Sequence, residues 1–130
     1  MSLTIHTETD DAAGSARISL QGRLDTVTAL ELEKRLEPLL GGRYNPLVFD
    51  LARLEFISSA GIRILIRARK TIQELRGGIL MVNAQPQIAK VFEIIKALPG
   101  MSIFKDDAEL DRYLAAMQHR VREGFKTAAG

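Results

Sequence analysis

Two adjacent serines, Ser58 and Ser59, stand three and two residues before Gly61, where an apolar run gives way to a helical pattern. A hydroxyl in this setting can do one of two things. It can cap the helix by accepting a hydrogen bond from a free backbone N–H. Alternatively it can carry a phosphoryl group at the positive end of the helix dipole, where unpaired N–H donors favour an anion. Gly61 keeps side-chain bulk away from the first turn, so the helix start is expected to be an accessible, electropositive end bearing a serine. Arg63 lies four residues beyond Ser59 on the same helical face, and helix side chains lean toward the N-terminus, so its guanidinium can fold back onto a phosphate on Ser59. The alternative for Arg63 is a solvated basic face shared with Arg67 and Lys70.

Other chemistries find no residues. His6 and His119 stand alone, without cysteine and without His-x-x-x-His or Glu-x-x-His spacing, so no metal site is expected. Ser-Ser-Ala-Gly is not the Gly-x-Ser-x-Gly of a hydrolase elbow. The Gly-Gly pairs at 41–42 and 77–78 belong to no phosphate-binding loop and read as helix stops. Five Phe and two Tyr, not interleaved with the basic residues, offer no platform for stacking bases. The chain is therefore not expected to be an enzyme or to hold a cofactor.

The serines need a strand before them and a helix after them. Pro46-Leu47-Val48-Phe49-Asp50 is a short apolar run of the kind found in a strand buried on both faces. Beyond Gly61, residues Ile62, Leu65, Ile66, Ile72 and Leu75 form an apolar helical stripe. Upstream, Leu3 and Ile5, then Ala16, Ile18 and Leu20, alternate with polar residues about an Asp10–Gly14 turn, which predicts an antiparallel hairpin. Thr28 and Glu31 have capping-box spacing, with Leu32, Leu36 and Leu39 as the stripe of a first helix. Ile79-Leu80-Met81-Val82 predicts another buried strand, and Pro86 opens a helix with Ile88, Val91, Phe92 and Ile95 inward. A short strand at 102–104 and a last helix from Asp106 or Asp107, with Leu110, Leu114 and Met117 inward, complete an α/β pattern. The expected architecture is a single domain over 1–119, a mixed sheet of four to five strands with about four helices, and a frayed extension over 120–130.

At 130 residues the chain is one domain long, and no apolar run is long enough to cross a bilayer. A formal charge of +2 gives no reason to expect a nucleic-acid partner. The absence of cysteine and of a visible secretory leader fits a cytoplasmic location.

The order Gly22-Arg23-Leu24-Asp25, then Asp50-Leu51 leading through Phe56 to Ser58-Ser59-Ala60-Gly61-Ile62, then Asn83, then Leu98 to Phe104, resembles the STAS domain of bacterial anti-sigma factor antagonists. The resemblance spans roughly residues 3–117. It implies that Ser59, the serine two positions before the motif glycine, is a phosphoacceptor. It also implies that Asp25, Ala60 and Gly61 belong to the partner-binding surface around it. Asp25 can equally be the N-cap of the first helix, and Asp50 is expected to hold the following turn by hydrogen bonds. Two positions depart from the family pattern. Ser58 replaces an aspartate, which makes it a second candidate acceptor, and Arg63 replaces a glycine.

The function so implied is a partner switch. The unphosphorylated protein would bind an anti-sigma factor of the histidine-kinase-like ATPase class and free a sigma factor. The same anti-sigma factor would phosphorylate Ser59, and a serine phosphatase would reverse the modification. The alternative is a non-catalytic STAS subunit bound constitutively to a transporter ATPase or a signalling scaffold, with the serine serving only as a cap.

Overall fold

The hairpin forms where alternation predicts it. The computed structural model describes residues 3–97 together with helical positions 108, 109, 112, 114–116, 118 and 119. Strand β1 (Leu3–Asp10) pairs antiparallel with β2 (Ser15–Leu24), and Gly14 turns the chain with φ +71°. Helix α1 (Thr26–Leu36) returns the chain to β3 (Leu47–Ile57), parallel to β2. Helix α2 (Ser59–Glu74) leads to β4 (Ile79–Val82), parallel to β3, and α3 (Pro86–Ala97) follows. The sheet order is β1-β2-β3-β4.

One sheet face is apolar. Ala16, Ile18 and Leu20 of β2 and Leu47, Phe49 and Leu51 of β3 are buried in one cluster with Leu32 and Leu36 of α1 and Ile62, Leu65, Ala68 and Ile72 of α2. Ile88 and Val91 of α3 and Leu114 join the same core. Removing such side chains from water supplies the main driving force for folding. The stripe of α2 differs from the expected one. Ile66 and Leu75 are exposed, and Ile64 and Ala68 are buried instead, because the helix packs against α1 as well as the sheet.

Strand β3 runs seven residues past its predicted end. Its register against β2 slips twice, between Asp50 and Arg53 and between Leu54 and Phe56, where β3 holds one extra residue each time. Each bulge re-aims the chain, so Leu51, Leu54 and Ile57 all face the core at a spacing of three. Alternation alone could not reveal a strand with that period.

Helix ends also follow particular side chains. At the end of α2 the left-handed residue is Arg76, at φ +61°, rather than either following glycine. Asn83 is left-handed as well, φ +63°, and its side-chain amide donates to the Asp50 carboxylate at 3.3 Å. The 102–104 strand, the 120–130 extension, Leu110, Met117 and the resemblance at Leu98 to Phe104 lie outside the described residues. So does the side chain of Ile95.

Asp50 ties three strands together. Its carboxylate accepts from Arg17 of β2 at 2.7 Å, from the Ala52 amide at 3.1 Å and from Asn83 after β4. The Arg17 bond, with the Ala52 amide next, holds its pKa below the ordinary carboxylate value. A carboxylate favoured in the folded state stabilises fully above its unfolded pKa of about 3.9 and loses that contribution as pH falls through the lower folded value. Asp50→Ala should therefore cost about 1–2 kcal/mol at neutral pH. The gap to the parent protein should close as pH drops below the ordinary carboxylate range, as read by denaturant melts across pH. A gap unchanged in acid would contradict this role.

Candidate functional site

The two βα turns that begin α1 and α2 meet at one junction. Leu24, the last residue of β2, pairs with Ile57, the last of β3. Immediately beyond, the Ser58 amide donates to the Leu24 carbonyl at 2.8 Å. The two turns are thereby held side by side at the end of the sheet where parallel strands deliver their helices.

Ser58 is the N-cap of α2. It has extended backbone angles, its Oγ accepts from the Gly61 amide at 3.3 Å, and its carbonyl accepts from Ile62 at 2.9 Å. This satisfies one of the first-turn donors that a helix leaves without a carbonyl. Ser59 is the first helical residue, and Ala60 and Gly61 complete the start of the turn. The expectation of an open helix start does not hold: Ser58 is 5% exposed and Ser59 2%. Leu24 packs against the same turn at Gly61. A Cβ built on Gly61 would stand 2.6 Å from Leu24 Cγ and 3.0 Å from its carbonyl oxygen.

Asp25 caps α1. Its Oδ1 accepts from the Val27 and Thr28 amides at 3.1 and 3.0 Å, and Thr28 Oγ1 accepts from the Asp25 amide at 2.8 Å. The capping box is thus Asp25 with Thr28, one turn earlier than Thr28 with Glu31. The Thr28 amide bond, outweighing partial burial, keeps the Asp25 pKa below its ordinary value. The carboxylate is therefore a fixed negative charge one residue from the junction.

Arg63 is half-buried in the first turns of α2. Asp50 sits eight residues before the cap, in the body of the sheet, and does not belong to the junction. Among the described residues, no group of three or more His, Cys, Asp or Glu side chains comes together to hold a metal.

Two contributors were not legible beforehand. The Arg23 guanidinium stacks 4.0 Å above the Phe56 ring, beside the paired ends of β2 and β3. Gln118 grips the Ile57 backbone: its Oε1 accepts from the amide at 3.0 Å and its Nε2 donates to the carbonyl at 2.9 Å. The available signal for Gln118 was its position four residues after Leu114, on the inward face of the last helix.

The comparisons agree on one family. The STAS domain model matches residues 5–110. BtrV of Bordetella bronchiseptica is 32% identical over 85 residues, 65% of this chain and 73% of that protein. RsfB of Mycobacterium tuberculosis, an anti-sigma-F factor antagonist, is 32% identical over 71 residues, 54% of this chain, which spans 58% of RsfB's length. The crystal structure of an anti-sigma factor antagonist from Mycobacterium paratuberculosis superposes with a TM-score of 0.63 at 27% identity, over 90% of this chain and 95% of that one.

Gly61→Ala tests the junction. Alanine normally favours a helix over glycine by about 0.5–1 kcal/mol. Here the added methyl meets Leu24 close to its backbone, so the substitution should instead destabilise by about 1–3 kcal/mol. Thermal unfolding measures the sign, and a stabilised Gly61→Ala protein would mean that Leu24 does not press on the turn.

Proposed function

The chain belongs to the STAS domain family, and on that premise we propose that it is an anti-sigma factor antagonist, a protein-binding switch controlled by phosphorylation of Ser59. Relatives bearing that name support the reading. The observation that carries it is the neighbourhood of the serine. Directly after the Asp25 cap, α1 presents Val27 and Leu30 to solvent, 71% and 60% exposed. Two apolar side chains three residues apart on one helix, beside a serine-bearing helix start, are suited to docking on a partner.

In the unmodified protein this surface carries little net charge at the serine. It docks on an anti-sigma factor with a histidine-kinase-like ATPase fold, and a sigma factor is released. That partner transfers phosphate to Ser59, and a serine phosphatase removes it. A phosphoryl group adds a charge of about −2 beside the ionised Asp25, so docking is opposed by repulsion and by the cost of burying the new charge. Arg63 partly offsets that charge. Ala60 and Gly61 follow the serine as part of the partner-binding surface. Ser58 serves as the cap, with Ser59 as the acceptor. The chain is a substrate and a switch in the cytoplasm, and not a catalyst.

A second reading has one observation in its favour. A serine 2% exposed suits a permanent structural part of the helix start beside the Ser58 cap, as in a STAS subunit bound constitutively to a transporter ATPase or a signalling scaffold.

Calorimetric titration against the partner captured from the host by the Ser59→Ala protein separates the two. Ser59→Ala should bind as the unmodified chain does, and the phosphorylated chain about 100- to 1000-fold more weakly, equivalent to about 3–4 kcal/mol. Arg63→Ala should widen that difference. Equal binding by Ser59→Ala, Ser59→Asp and the parent would establish the constitutive reading instead.

A further inference from the structure

The parallel pairing of β3 with β4 covers only Leu47–Asp50. From Leu51 onward that edge of β3 meets no strand among the described residues, and exposed backbone groups on a buried edge must find partners elsewhere. Glutamine side chains supply them. Gln85 donates to the Ala52 carbonyl at 2.9 Å and Gln87 to the Glu55 carbonyl at 3.4 Å. Gln118 differs from both, because it accepts from and donates to one residue, Ile57, as a neighbouring strand would. Its Nε2 also donates to the Leu114 carbonyl at 3.1 Å, and the side chain is buried.

The consequence falls on a single peptide unit. The carbonyl of the Ile57–Ser58 peptide is held by Gln118, and the N–H of the same peptide is held by the Leu24 carbonyl. Swinging Ser58 and Ser59 outward rotates that peptide and breaks both bonds. The Leu24 bond lies at the end of the sheet, next to the Leu24–Ile57 register pair that supports it. The Gln118 bonds come from one side chain on a helix remote in sequence.

We propose that Gln118 is a positioning residue that keeps Ser59 concealed, so that the serine becomes available to a modifying enzyme when the amide clip between the last helix and β3 opens. The proposal rests on Ser59 being the modified serine. It makes the last helix a control element: whatever draws Gln118 away from Ile57 raises the supply of accessible serine, and whatever seats it lowers that supply. The clip therefore regulates modification without touching the phosphoryl group.

The chain contains no cysteine, so Ser59→Cys introduces a lone thiol whose reaction rate with an aromatic disulfide reagent reports opening of the site. Ala16→Cys, buried near the start of β2, reports global unfolding in the same assay. Gln118→Leu, or Gln118→Asn should the leucine variant fail to fold, removes the grip on Ile57. Either should raise the rate at position 59 by about ten- to a hundredfold, the range expected for leaving buried backbone groups unpaired. The rate at position 16 should rise far less. Equal acceleration at the two positions would show that Gln118 only supports the fold as a whole, and an unchanged rate at position 59 would show that opening does not pass through it. Either result overturns the proposal. The thiol assay uses no kinase, so an error in assigning the phosphoacceptor would appear separately, as phosphate missing from Ser59.

Discussion

The hydrogen bond from the Ser58 amide to the Leu24 carbonyl is the constraint on which the rest of the site depends. It fastens the end of β3 to the end of β2, and each strand passes directly into a helix whose cap is the next residue, Asp25 on one side and Ser58 on the other. Because Leu24 also lies against Gly61, the two helix starts cannot shift independently. The start of α1, with its exposed Val27 and Leu30, is therefore held beside the start of α2. In the proposed switch, the binding surface and the controlling serine share this contact.

The fold was largely legible because most of it follows from periodicity. The hairpin alternates, α1 and α3 repeat apolar residues at helical spacing, and turns occur where glycine and proline punctuate the chain. The failures occur where tertiary structure overrides local pattern. The β3 bulges convert an alternating strand into one that buries Leu51, Leu54 and Ile57. Packing of α2 against both the sheet and α1 moves its buried face, so Ile64 replaces Ile66. Arg76 takes the left-handed conformation at the helix end although two glycines follow.

The candidate site was half legible. Its residues stand at the junction that the motif order suggests, apart from Asp50, which stabilises the sheet eight residues before the cap. What local spacing could not convey was burial. The serines are buried beside the end of β2, and Gln118 meets Ile57 across 61 residues of sequence, a separation at which no periodicity carries information. Ser58, at the position where the family pattern that the sequence resembles has an aspartate, acquires a physical meaning here. A serine hydroxyl caps α2 without charge, leaving Asp25 as the fixed anion one residue from the junction.

A concealed serine and a charge switch are compatible when concealment is local. Opening one peptide unit is far less costly than unfolding the domain, and the added phosphate then bears directly on the docking surface. The most direct test of this account is mass spectrometry of the protein recovered from its native host under several growth conditions, with Ser59→Ala as control. The account predicts phosphate on Ser59 in a condition-dependent fraction of the chains, and none in the control. A chain never phosphorylated on Ser59 in any condition would contradict it and leave that serine a structural part of the helix start.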